Sequence, residues 1–212
     1  MAIHARNGCR DLLNAALACV GVPLLGLRMV EFGNQRLKFD PGEGARRLQS
    51  AKPFFQFFGI LHTSIDINGR EGALPIDLGK PIDWGQFRAL AGFGMGAADI
   101  VTDFGTLEHV RRGQFQAFKT ADDLCRPGGL MVHALPATGT CRRHGDWKYS
   151  VPWFADLARA NAYDVVQLRA WDKSESWPGR IKPGDEIYVL AILRKRGDAG
   201  TFGRAWVAPP KS

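Results

Sequence analysis

The sequence is poor in cysteine. Its four cysteines, Cys9, Cys19, Cys125 and Cys141, show neither CxxC spacing nor the density of a disulfide scaffold. That excludes a small stapled secreted domain and leaves reduced thiols, with a cytoplasmic location, as the expectation. Long apolar runs are lacking as well. Leu12–Leu27 follows Arg6 and Arg10 in the manner of an export signal, but Asn14 and Pro23 interrupt it and it is short for a membrane span. It reads instead as an apolar helix, Asp11–Val20, packed on the core or covering a pocket. No run of one charge sign occurs. The net charge of +7 is spread over Arg46–Arg47, Arg111–Arg112, Arg142–Arg143 and Arg194–Arg196. Scattered pairs favour an anionic ligand or a solvated basic surface over a nucleic-acid groove. There is no internal repeat and no low-complexity tract.

What remains is ordinary globular material: 45% apolar and 23% charged residues in 212, enough for one domain with a substantial core. Strand-like and helix-like pieces alternate, which is the pattern of a parallel sheet covered on both faces. The expected strands are Leu27–Phe32, His62–Ile67, Ala73–Leu78, a fourth within Ala98–Val110, Leu130–Leu135, and a late pair, Asp164–Ala170 and Glu186–Leu193. Helices are expected over Glu43–Ala51, Trp84–Ala91, Gln114–Cys125 and Val151–Ala160. Phe54, Phe55, Phe57 and Phe58 are read as core, and the chain from Arg194 as a loosely held basic tail. The fold class is therefore α/β, a three-layer Rossmann-like sandwich around a seven-stranded, mostly parallel sheet with an antiparallel last strand. An N-terminal helical segment, 1–26, able to act as a lid, precedes the domain 27–196, and a tail, 197–212, follows it.

The stretch Ala98–Val110 organises the rest. A buried strand runs into Thr102, Asp103, Gly105, Thr106, Glu108 and His109. Open α/β sheets bind ligands beyond the carboxyl ends of their strands, so an active site is expected there.

The strand end Glu31-Phe32-Gly33, the acidic Asp66 at the end of strand two, Asp77 after strand three, DIVT leading to LEHV, and the Pro127-Gly128-Gly129 turn before strand five together resemble the class I S-adenosylmethionine-dependent methyltransferases. The resemblance covers nearly everything from Leu27 to Leu193. It implies that Glu31 holds the cofactor's amino group, that Gly33 and Asn34 form the turn against its methionine part, and that Asp66 accepts from the two ribose hydroxyls. It further implies that Asp77 and Leu78 meet the adenine and that Asp103 completes the cofactor set. Two departures stand out. Only Gly33 remains of a turn that usually carries two or three glycines, and 33 residues separate Gly33 from Asp66 where about 20 is usual.

Methyl transfer asks little of the protein: alignment, exclusion of water and, for a hydroxyl acceptor, removal of a proton. His109 and His144 are the candidate bases, because the imidazole pKa lies near neutrality. LEHV also resembles quinone-type O-methyltransferases whose acidic residues and His hold a divalent ion. Asp103 precedes Glu108 by five residues, off the helical spacing, so no metal is assigned. Arg143, Trp147 and Tyr149, in the loop Pro136–Tyr149, are the candidate acceptor-binding groups, suited to an anion and a ring. The function expected is S-adenosylmethionine-dependent O-methylation of a small-molecule or glycan-type acceptor, anionic groups included, with no membrane partner. Homo-oligomerisation stays open. The alternatives are a methyltransferase-fold binding or scaffold protein without catalysis, and a nucleic-acid methyltransferase. A nicotinamide oxidoreductase is disfavoured because GxGxxG is missing.

Overall fold

The computed structural model describes residues 2–4, 8–38, 50–141, 144–172, 186–197, 202–203 and 206–210. In chain order the elements are β1 (Ala2–His4), α1 (Gly8–Cys19), β2 (Arg28–Phe32), β3 (Arg36–Lys38), α2 (Lys52–Phe57), β4 (Leu61–Ile65), α3 (Trp84–Ala91), β5 (Ala98–Phe104), α4 (Gln114–Leu124), β6 (Cys125–Pro136), α5 (Val151–Ala160), β7 (Tyr163–Asp172) and β8 (Ile187–Lys195). The main sheet has six strands in the order β4-β2-β5-β6-β8-β7, and β1 pairs with β3 in a separate two-stranded sheet. β4, β2, β5 and β6 are parallel, and β8 runs antiparallel to both its neighbours.

The central strands are apolar on both faces, as strands covered by helices on each side must be. Val30, Val101, Met131 and Leu193 lie in register and bury against Phe87 of α3, Phe118 of α4 and Phe154 of α5. Met29, Ile100 and Leu130, one residue earlier in each strand, face the opposite way with Leu12 and Ala16 of α1 and Phe55 of α2. That is the period of two converted into three layers. Local chemistry sets the helix ends. Asp83 accepts from the Gln86 N–H at 3.0 Å, and Gly92 closes α3 in the left-handed region. Ser150 caps α5 through the Trp153 N–H at 3.1 Å.

The structure corrects several expectations. The seventh strand is reduced to a bridge between Leu74 and Ile65. Leu74 exchanges hydrogen bonds with the end of β4 through Ser64 O and Asp66 N, and the ladder then stops because the Ile76 N–H, next in register, turns back across Pro75 to Leu74 O at 2.9 Å. The helix over Glu43–Ala51 falls largely outside the described residues; Ala51 is the cap residue of a separate helix, α2, which begins at Lys52. Of the aromatic cluster, Phe55 is buried whereas Phe57 is 84% exposed, because so short a helix has one inner face. Lys195 is buried in β8, 3.2 Å from Asp122, and Trp206 packs on Phe118 and Trp153, so much of the expected tail belongs to the body. Among the described residues no helix is long and apolar enough to cross a membrane.

Candidate functional site

A crevice of about 770 Å³ opens beyond the carboxyl ends of β2, β4 and β5. Gly33, Asn34 and Gln35 line it after β2, and Ile65, Asp66 and Ile67 after β4. Ile76, Asp77 and Leu78 form one flank, with Gly105, Thr106 and His109 to Arg112 beyond β5.

The turn after β2 is held by side chains instead of by glycines. Gly33 has φ 76°, donates to Ile65 O at 2.7 Å, and lies so close to Thr106 that a Cβ there would sit 2.3 Å from its Oγ1. Thr106 in turn donates to Phe32 O at 2.8 Å. The Asn34 N–H donates to Asp66 Oδ2 at 3.1 Å, its amide donates to Glu71 Oε2 at 2.9 Å, and its carbonyl oxygen accepts from Ser50. Asp66 Oδ1 also takes the Asn68 N–H at 3.1 Å. Asp77 Oδ1 accepts from Gly79 N at 2.9 Å, closing a tight Asx turn while the carboxylate still faces the crevice.

The flank is pinned by main chain against main chain. Gly113, at φ 83°, approaches Gly79 so closely that a Cβ would lie 2.1 Å from Gly79 O, and a Cβ on Gly79 would lie 2.4 Å from Arg112 O. Behind it, Gln114 donates to Leu107 O and Val110 O, and the Tyr149 hydroxyl donates to Gln114 Oε1 at 2.8 Å.

The crevice therefore collects Gly33, Asn34, Asp66, Asp77, Leu78 and His109 of the expected site residues. Others lie elsewhere. Glu31 is fully buried beneath the turn, with Oε1 accepting from Gln35 N at 2.9 Å and Oε2 3.5 Å from His62 Nε2. Asp103 is buried too; its Oδ1 accepts from the N–H groups of Thr106 and Leu107, and Oδ2 lies 3.1 Å from His133 Nδ1. Burial pushes the Asp103 carboxyl above the usual range, with His133 pulling the other way. Trp147 and Tyr149 are buried supports: the Trp147 indole donates to Val110 O, and burial drives the Tyr149 hydroxyl well above its ordinary pKa. Arg143 lies outside the described residues. Sequence reasoning missed Val110 and Ile76; Thr106 it placed in the polar stretch after the central strand without a role, and Arg111 and Arg112 it noted only as a basic pair.

His144 joins a different grouping. Its Nε2 lies 3.2 Å from Glu108 Oε1, the His109 Nε2 lies 3.6 Å from the same oxygen, and the two rings sit 5.1 Å apart. Glu108 is fully buried, and among the described residues its Oε2 has no hydrogen-bond partner.

No protein-family model matches the chain, and no curated protein matches it. Solved structures do. The chain is similar to 1,6-didemethyltoxoflavin-N1-methyltransferase from Burkholderia thailandensis, solved with 1,6-didemethyltoxoflavin and S-adenosylhomocysteine, at TM-score 0.56 and 15% identity over 91% of this chain and 80% of that one. It is similar to the N-methyltransferase NodS from Bradyrhizobium japonicum WM9 with S-adenosylhomocysteine, at TM-score 0.54 and 16% identity over 88% and 84%. It is also similar to the [4+2]-cyclase SpnF, at TM-score 0.52 and 14% identity over 88% and 81%. At such identities the likeness is one of fold.

Proposed function

We propose that this chain, whose fold is that of the class I S-adenosylmethionine-dependent methyltransferases, binds S-adenosylmethionine in the crevice and passes its methyl group to a small-molecule acceptor. The observation that carries the reading is the gathering of Gly33, Asn34, Asp66, Asp77 and Leu78 around one cavity at the carboxyl ends of neighbouring strands. About 770 Å³ lies within the usual range of small-molecule sites, roughly 300–1,000 Å³.

Each residue has a part its geometry can play. Asp66 spends each carboxylate oxygen on one backbone N–H. A carboxylate offers roughly four acceptor positions, so a vicinal diol can still be held. Asp77, anchored by Gly79, accepts from the adenine amine, and Leu78 covers the ring. The turn at Gly33 and Asn34, its N–H groups already committed to Ile65 O and Asp66, lies against the methionine end. His109, on the crevice wall, faces the acceptor space, and Arg111 and Arg112 beside it suit an anionic acceptor. The acceptor's lone pair attacks the methyl carbon, the carbon–sulfur bond breaks with its electrons passing to sulfur, and the acceptor proton leaves to an imidazole or to water. Oxygen is the proposed target because imidazoles are at hand, although the two methyltransferases named above act on nitrogen. A glycan-type acceptor and a homo-oligomer remain part of the proposal's scope, and the N-terminal segment as a lid does too.

Calorimetry with S-adenosylhomocysteine tests this directly. Saturable binding is expected; no heat at millimolar ligand overturns the reading. That outcome would favour a second one, a binding module without catalysis. Asn34 and Gln35 in place of turn glycines, and Glu31 sealed below the crevice, are the observations on its side. The cyclase among the similar structures shows that the fold alone does not dictate methyl transfer.

A further inference from the structure

Glu108, His109 and His144 form a group whose potential ligand atoms all lie within 4.8 Å of one another. They come from two segments, and the backbone fastens these together. The short helical turn Leu107–His109 follows β5, and its Glu108 carbonyl accepts from Asp146 N at 2.8 Å and Trp147 N at 3.2 Å. Gly145, at φ 72°, lies against Glu108 so closely that a Cβ would sit 2.5 Å from its Cγ. The buried Lys148 ammonium donates to the His144 carbonyl, which fixes the far side of the loop. His144 is thereby delivered over Glu108 beside His109.

The carboxylate itself supplies an independent observation. Glu108 is wholly buried, one oxygen has no hydrogen-bond partner among the described residues, and the other is approached by two imidazoles at 3.2 and 3.6 Å. A fully desolvated carboxylate with an orphaned oxygen is costly unless something compensates it, and 3.6 Å is too long for a hydrogen bond. Both imidazoles keep their outer edges open to solvent, at 42% and 52% exposure, so they can close on a shared centre.

We propose that Glu108, His109 and His144 bind a divalent cation of zinc type. Two imidazoles and one carboxylate make a borderline ligand set, which selects zinc, cobalt or nickel over magnesium, whose preferred partners are oxygens. Three protein ligands leave a fourth position open, and because His109 belongs also to the crevice wall, the site borders the crevice. Asp103 is not a member; it is committed to Thr106, Leu107 and His133. An oxygen of the acceptor held at the open position would meet the methyl group oriented and with its proton loosened. This use rests on the methyltransferase reading, whereas the binding of the ion does not. With the ion bound, the two imidazoles are ligands, and neither serves as the base.

The test is titration of the untagged, chelator-stripped full chain with cobalt(II), read by its visible ligand-field spectrum, followed by displacement with zinc. One cobalt per chain is expected, with an intense low-symmetry spectrum. His109→Gln and His144→Gln should each weaken binding by about 10–100-fold or more. Glu108→Gln should do the same, with circular dichroism checking the fold; if that variant fails to fold, the two half-exposed histidines carry the decision. Absence of a cobalt spectrum, or affinity unchanged in both histidine variants, overturns the site. Calorimetry with S-adenosylhomocysteine in the presence of chelator separates the two proposals. Cofactor binding without cobalt binding removes the metal site alone, and cobalt binding without cofactor binding removes the methyltransferase reading alone.

Discussion

Asp66 is asked to do two things at once. It ties the turn after β2 to the loop after β4 through Asn34 N and Asn68 N, and on the proposed reading it also receives a ribose. Asp66→Ala removes both. Loss of the ligand contacts should weaken S-adenosylhomocysteine binding by about 10–100-fold, from hydrogen bonds to a charged group worth about 1.5–3 kcal/mol. Loss of the backbone contacts should lower stability by about 1–2 kcal/mol, read as a lower melting temperature. Unchanged calorimetric affinity would remove Asp66 from the site. Its position at a strand tip was legible, since acidic residues that follow an apolar run mark a strand's carboxyl end. The fate of Glu31 was not. The motif says that the residue is near the turn, but the strand's alternation sends its side chain to the face occupied by Met29 and His62, under the crevice. Asp103 is drawn away from the crevice in a related way: its Oδ1 accepts from the N–H groups of its own following turn.

At the scale of elements, the crevice flank depends on two glycines that sequence reading passed over. Gly113→Ala places a methyl 2.1 Å from Gly79 O at φ 83°. Left-handed backbone costs a non-glycine residue about 1–2 kcal/mol, and separating the two segments adds to that. A total loss of about 2–4 kcal/mol is expected by denaturant titration, with weaker cofactor binding because Asp77 and Leu78 move with Gly79. Stability within about 0.5 kcal/mol of the parent would show that the contact is not needed. Apolar spacing located α3, α4 and α5 well; the caps Asp83, Gly92 and Ser150, which fix the ends of α3 and the start of α5, are seen in the structure. The seventh strand was misread because Leu74, Ile76 and Leu78 alternate as a strand should, whereas the Ile76 N–H turns back to Leu74 O and leaves no donor for β4.

For the whole molecule, the succession of strands and helices along the chain was legible from their alternation, and the antiparallel last strand was expected, whereas the order of strands across the sheet comes from the structure. The count was one too high. Stability against pH should carry the mark of Asp103. Because its carboxyl is raised by burial, the folded state holds that proton more tightly than the unfolded chain does. This contribution is complete below the ordinary carboxylate value near 3.8 and is lost as pH rises through the raised one. Asp103→Asn cannot ionise, so the stability difference between parent and variant should shift in the variant's favour as pH rises across that window. Urea titrations at a series of pH values would show it, and parallel curves would mean that Asp103 ionises as freely folded as unfolded. The contact between Gly79 and Gly113 has one more consequence. Where main chain abuts main chain there is no side chain to trim, so the width of that end is set like a gauge block. On the proposed reading, descent or engineering would resize it for a different base through side chains such as Ile76 and Leu78, and a bulkier purine would be admitted by shrinking one of those two.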